Sequence, residues 1–310
     1  MQSRSWLFSY LALAVIWGLS FALIKQALAA MTPLQVTTAR MGLGALTVCV
    51  FLLVARRFPR PNAREWRNLF VLGVVGLGLP FALIAFAETR ITSILAGLLN
   101  SSVPLFAAIF VALLIPAERP DRTQVVGLLV GFAGIGVLLG VWNISTSGID
   151  LVGVTAMILS GLCYGFGTAF GRVSMANSDL AGTQLTAMQL LTGTGIVALL
   201  LIVDPGVPPA APTLVTTASI LALGILGTGV AMALFWGVLR QAGATVAATV
   251  TYVIPLVSTT VGSVLLAEPL SWNQVVGGLI VVGGIALTQW SQLTGRGVMA
   301  LSRSGPVVDE

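Results

Sequence analysis

The 310-residue chain has no histidine, one lysine and two cysteines, and charged residues make up only 8% of it. A soluble domain carries roughly 25% charged residues, so this composition excludes one. Cys49 and Cys163 both fall inside apolar runs and make neither a disulfide framework nor a metal site. The chain also lacks an acidic pair, a metal constellation and a nucleophile with a basic partner. No enzymatic activity, metal or cofactor is therefore expected. No Asp or Glu falls in the middle of an apolar run, whereas a proton relay across a bilayer needs titratable groups at depth. The formal net charge of +5 comes from basic residues dispersed at the ends of these runs. There they set membrane orientation, and nucleic acid is not an expected partner.

What is abundant is apolar sequence, at 57% of the chain. Ten runs of about 20 residues follow one another at about 6–28, 33–55, 66–87, 91–115, 121–142, 149–172, 181–203, 214–239, 243–267 and 272–294. Each suffices to span a hydrocarbon core of roughly 30 Å. In lipid every backbone polar group must be satisfied internally, and runs without strict alternation fit helices rather than barrel strands. The fold class is thus an all-α integral membrane protein with ten transmembrane helices and membrane lipids around it. The Met-Gln-Ser-Arg start resembles a signal-peptide n-region, but the apolar run after it is too long, so an uncleaved first helix is expected.

The chain is one half-length unit written twice. Asn100-Ser101-Ser102-Val103-Pro104, an apolar run to Glu118 and Gln124-Val125-Val126-Gly127 return as Thr251-Tyr252-Val253-Ile254-Pro255, a run to Glu268 and Gln274-Val275-Val276-Gly277. Gly73-x-x-Gly76-x-Gly78 returns as Gly224-x-x-Gly227-x-Gly229, and Trp17-Gly18 and Lys25 as Tyr164-Gly165 and Arg172. The expected division is a first repeat at 1–142, a second at 149–294 and a short tail at 295–310. With five spans each, the two copies are inverted relative to one another around a shared central cavity. Secondary transporters are commonly built this way, with substrate near the midplane. Basic residues cluster at one set of ends (Arg4, Arg56, Arg57, Arg60, Arg64, Arg67, Arg119, Arg122, Arg172, Arg240, Arg296, Arg303), while Lys25, Arg40 and Arg90 fall in the other half. The positive-inside rule then makes both termini cytoplasmic.

Several residues stand out within this frame. Asp121-x-x-Gln124 and Ser271-x-x-Gln274 read as capping boxes opening the fifth and tenth helices. Glu118 and Glu268 read either as gate residues or, more simply, as carboxylates stabilised by a helix N-terminus. Pro104 and Pro255, with Pro80 in the third span, are kink candidates. Each of the first two would free the carbonyl four residues back, next to Ser101 and Ser102 or to Tyr252. These stretches either line a cavity or are packing kinks. The Gly-x-x-x-Gly spacings, such as Gly161 and Gly165, fit close helix packing, and the chain is expected as a monomer or weak dimer. Lys25 and Arg40 are intramembrane cations. They read either as a cavity surface for a carboxylate or phosphate, or as a snorkelling lysine and an Arg40–Glu88 pair, with Glu88 beside Arg90 at the end of the third helix. Gln184 and Gln189 stand where Gln35 and Arg40 stand in the first copy, and both offer uncharged hydrogen bonds. Trp17, Tyr164, Phe81, Phe86 and Trp236 supply candidate aromatic walls.

Trp17-Gly18 followed by Ser20-Phe21 and Lys25, together with the Val103-Pro104 to Gln124-Val125-Val126-Gly127 stretch and its second copy, resembles the EamA family of the drug/metabolite transporter superfamily. The resemblance covers about residues 8–292. It implies a ten-helix inverted-repeat carrier in a bacterial inner membrane, with members that typically export amino acids and related metabolites. It also implies a pathway lined by helices one, three, four, six, eight and nine. That points to Trp17, Phe81, Asn100, Ser101, Tyr164, Trp236, Thr251 and Tyr252, and Ser20 of the same motif is a further cavity candidate. The lysine and arginine pattern of phosphate-exchanging relatives is absent from the later helices. The expected function is alternating-access export of small uncharged or zwitterionic metabolites, foremost amino acids, by a facilitative carrier. The alternatives are a flippase or exporter for lipid-linked or amphipathic compounds, a proton-coupled antiporter, and a non-transporting membrane sensor or assembly factor.

Overall fold

The computed structural model describes residues 5–116, 120–143 and 150–289. Glu118, Arg119, Arg4 and the expected tail at 295–310 lie outside them. Ten helices follow in order: α1 (Ser5–Ala27), α2 (Pro33–Val54), α3 (Ala63–Glu88), α4 (Ser93–Leu114), α5 (Arg122–Leu139), α6 (Leu151–Ser174), α7 (Gly182–Val203), α8 (Leu214–Gly243), α9 (Thr249–Leu265) and α10 (Trp272–Thr288). No strand occurs among the described residues. Eight of the helices are long and apolar enough to cross a membrane, and α9 and α10 are shorter apolar helices. The fold is that of an all-helical integral membrane protein.

Local chemistry explains where the helices begin. Thr32 and Gln35 form a reciprocal capping box with Pro33 at the first helical position of α2, and Asn62–Glu65 and Asp121–Gln124 do the same for α3 and α5. Such boxes satisfy two of the orphan N–H groups at a helix start. At α10 only the reach-back half forms with good geometry, Ser271 N–H donating to Gln274 Oε1 at 3.2 Å. Asp150 caps α6 by accepting from the N–H groups of Val152 and Gly153. Those donors and Arg90 hold its carboxyl below the usual range.

The packing repeats across a pseudo-twofold relation. The α5–α10 contact brings Gly127 to Thr288, Gly131 to Gly284, Gly134 to Val281 and Gly277 to Leu138. Numbers rise along one helix as they fall along the other, so the two are antiparallel. The α2–α7 pair is antiparallel as well. Gln35 Nε2 donates to the Pro205 carbonyl (3.3 Å) at one end, and Gln184 Nε2 donates to the Arg57 carbonyl (2.7 Å) at the other. Corresponding glutamines of the two halves thus make corresponding bonds at opposite ends. Two more contacts repeat in this way. Gly18 of α1 meets α9 at Val257, and Gly165 of α6 meets α4 at Phe106. Gly73 of α3 meets α7 at Gly193, and Gly224 of α8 meets α2 at Leu43. A Cβ on Gly193 would lie 2.5 Å from the Gly73 carbonyl oxygen, so that crossing requires glycine. Below, the end where α1 starts is the near end and the end where it finishes is the far end.

The repeated glycine motifs have a structural meaning that spacing alone did not reveal. Val74–Gly78 in α3 and Ala222–Val230 in α8 are π-helical. Such widened turns are rare and occur frequently at functional sites. In α3 the wide turn immediately precedes Pro80, whose carbonyl accepts from Ser160 Oγ at 3.3 Å. Of the expected interruptions at Pro104 and Pro255, the second needs correction. In α4 the helix pauses in a turn at Ser101–Ser102, and Pro104 stands in the first turn of the segment that resumes. α9 runs on through Pro255 without interruption, and Gly243, with φ 87° and ψ 168°, closes α8.

Candidate functional site

Arg40 is the charged residue at the meeting point of the two halves. It projects from α2 and is 7% exposed. Its Nε donates to Thr228 Oγ1 at 3.1 Å, within the π-helical stretch of α8. Its Cζ lies 3.9 Å from the centroid of the Phe81 ring of α3. A desolvated guanidinium over an aromatic face gains up to about 2 kcal/mol, and its planar fork suits bidentate pairing with a carboxylate. Phe81 packs edge-on against Tyr164 of α6, with centroids 6.3 Å apart. Tyr164 and Glu88 both lie within Coulombic range of the guanidinium. Ser20 of α1 adjoins Gly227, the chain neighbour of Thr228: a Cβ on Gly227 would be 3.2 Å from its hydroxyl, which itself donates to the Ile16 carbonyl. Trp17 packs on Phe235 (5.8 Å), and Phe235 on Trp236 (5.5 Å). Five helices, α1, α2, α3, α6 and α8, therefore contribute to one polar and aromatic cluster.

At the far end a second cluster forms around Glu88. The residue is 0% exposed, and neither carboxyl oxygen has a hydrogen-bond partner. Lys25 does not pair with that carboxyl. Its Nζ donates to the backbone carbonyls of Glu88 (2.6 Å) and Ile91 (2.9 Å), satisfying acceptors where α3 ends. Arg90 pairs at the surface with Asp150 at 3.0 Å. Glu268 follows a left-handed turn at Ala267 (φ 51°) and accepts from Ser93 N–H (2.9 Å), Ser93 Oγ (2.9 Å) and Ile94 N–H (3.0 Å). It sits on a helix N-terminus, but that of α4 in the other half rather than that of α10.

The remaining candidates are dispersed. Ser101 and Ser102 fold back on their own helix and donate to the carbonyls of Leu98 (2.5 Å) and Leu99 (2.6 Å). Gln184 serves the near-end bond to Arg57. Gln189 is half-buried where α7 crosses Gly73. Trp236 Nε1 donates to Thr186 Oγ1 at 3.0 Å, and Tyr252 hydroxyl to Gln289 Oε1 at 2.8 Å. Asn100 and Thr251 are half-buried on α4 and α9. Thr228, Phe235 and Thr186 were not anticipated. Thr228 lies inside the repeated glycine motif, which was the one signal pointing to it.

A cleft of about 640 Å³ opens at the far end, lined by Ala30, Met31, Gln35, Pro208, Thr216 and Ile220 among others. Gln35 and Ile220 lie on the same helices as Arg40 and Thr228, about 8 and 12 Å along their axes at 1.5 Å per residue. The cleft thus stands above the Arg40 cluster without including it. A smaller space of about 130 Å³ lies between α2, α7 and α8, beside Thr47, Phe51 and Thr186.

Known proteins share this architecture. The EamA-like transporter family matches residues 4–140 and again 151–290. An uncharacterized transporter of Archaeoglobus fulgidus is 27% identical over 278 residues, covering 88% of this chain and 95% of the relative. The uncharacterized inner membrane transporter YedA of Escherichia coli is 24% identical over 262 residues, covering 84% and 82%. A solved crystal structure superposes with a TM-score of 0.64 at 22% identity, over 93% of this chain and 98% of that one, and so shares the fold. With both halves matched and the ten-helix, two-repeat structure in hand, the chain is a membrane transporter that belongs to the EamA-like transporter family.

Proposed function

We propose that the protein exports small zwitterionic metabolites, amino acids foremost, from the cytoplasm of a bacterial cell by alternating access between its two halves. The observation that supports this substrate class is Arg40: a buried guanidinium against Phe81 and Thr228, with Tyr164 packed on Phe81, where α2, α3, α6 and α8 converge. A carboxylate meeting it gains charge-assisted, bidentate bonds in a site already stripped of water. The aromatic walls suit an ammonium group or an apolar side chain. Placement in the inner membrane with cytoplasmic termini is supported by the basic near-end loops, including Arg56, Arg57, Arg60 and Arg64. The movement is facilitative, down the substrate's own gradient. Purified protein in liposomes is expected to move labelled amino acids until gradients collapse. Inertness toward a broad amino-acid panel would reject the substrate class.

A further inference from the structure

The Arg40 cluster leaves Glu88 unused, although Glu88 is the most completely enclosed ionisable residue among those described. Charged groups approach it from each neighbouring element: Lys25 from α1, Arg40 from α2 and Glu268 from the turn after α9. The Arg90–Asp150 pair stands at the surface nearby, where α6 begins. Every one of these groups is already engaged elsewhere. The Lys25 ammonium is held by two backbone carbonyls, Arg40 by Thr228 and the Phe81 face, and Glu268 by the first N–H groups of α4. The carboxyl itself receives no donor at either oxygen. A charge withdrawn from water without a paired hydrogen-bonding partner is strongly disfavoured, whereas the uncharged acid tolerates the same surroundings.

The groups around Glu88 also tie neighbouring elements together at this end. Lys25 ties α1 to the end of α3 within the first half, and Glu268 ties the α9–α10 turn to the start of α4 across the halves, so these two contacts flank the carboxyl. Separating them admits water to Glu88.

We propose that the Glu88 carboxyl is a proton-binding site that gates the far end: with the proton bound the end stays shut, and release of the proton to the far-side solution accompanies opening. The proton enters and leaves on the same side, so no proton crosses the membrane and transport remains facilitative. A deeply buried carboxyl thus has a role without a relay across the bilayer. By linkage, opening becomes up to about tenfold more favourable per unit rise of far-side pH, until the open form dominates.

The gate rests on the alternating-access reading but not on the identity of the substrate, so its test uses none. In a background with Cys49 and Cys163 replaced, Leu95→Cys reports far-end opening from a buried position on α4, and Val207→Cys supplies a fully reachable control. The ratio of their labelling rates by an impermeant thiol reagent removes the reagent's own pH dependence. The ratio is expected to rise with far-side pH in the parent protein, to do so again in Glu88→Asp, and to be low and flat in Glu88→Gln, which mimics the protonated form. A flat ratio in the parent would overturn the proposal, as would an unchanged slope in Glu88→Gln. The parent measurement decides the matter if Glu88→Gln fails to fold.

Discussion

Replacing Arg40 by methionine separates its role in transport from any role in stability. The substitution removes a hydrogen bond from Nε to Thr228 and a guanidinium 3.9 Å from the Phe81 centroid. Thr228 is not left orphaned, because its hydroxyl also donates to the Leu223 carbonyl at 3.2 Å. Methionine fills the space with a flexible apolar chain, and the cost of holding a charge out of water disappears. Thermal stability is therefore expected to change by less than about 1.5 kcal/mol, as in a volume-conserving exchange. Substrate binding loses charge-assisted bonds worth about 1.5–3 kcal/mol, a loss of about 10- to 150-fold in affinity. Arg40→Lys keeps the charge but not the planar fork, and is expected to fall between the two. Counterflow of labelled amino acid in liposomes gives the KM, and thermal unfolding of the same preparations gives stability. An unchanged KM in Arg40→Met, with the fold intact, would refute the assignment of Arg40 to substrate.

Other expectations follow from the repeated contacts. Gly193→Val and its counterpart Gly44→Val each force a side chain into the other half, where Cβ would meet the Gly73 carbonyl or the Thr228 side chain. Each is expected to cost at least about 1–3 kcal/mol, read as a lowered midpoint of thermal unfolding. Gln35→Ala and Gln184→Ala each remove one of the paired end bonds and one reach-back cap. Losses of about 1 kcal/mol apiece are expected, and they should add in the double variant because the sites lie at opposite ends. Glu268→Gln keeps the shape but removes the charge at the start of α4, and is expected to destabilise by about 1 kcal/mol. A destabilisation that vanishes in Glu268→Gln but appears in Glu268→Ala would show that packing, not charge, matters there.

Most of the fold was legible in the sequence because bilayer thickness imposes a length on every apolar run. The second run was expected at about 33–55 and the helix occupies Pro33–Val54, opened by a capping box at Thr32 and Gln35. The Asp121–Gln124 box was readable for the same reason, since its chemistry is local. Features that depend on partners distant in the chain were not. Proline spacing pointed to an interruption at Pro255, yet the helix continues through it. The two glycine motifs were visible as repeats, but nothing in their spacing distinguishes a π-helical turn from a packing groove. Gln184 was readable as a source of uncharged hydrogen bonds, but that its amide meets the Arg57 carbonyl depends on a tertiary neighbour. Glu88, at the end of its run, was readable as a partner for Arg40, but not as a carboxyl without any hydrogen-bond donor. Its charged neighbours include Lys25 and Glu268, which the sequence separates by 243 positions.

The central claim is that two copies of one five-helix unit cross the membrane in opposite senses. Its most direct test places single cysteines at Arg60, in the turn between α2 and α3, and at Ala210, in the turn between α7 and α8; both positions are exposed. These turns occupy corresponding places in the two halves. Labelling with an impermeant thiol reagent from one side, then the other, is expected to reach the two positions from opposite sides of the membrane. Labelling of both from the same side would contradict the inverted arrangement, and with it the shared site at Arg40.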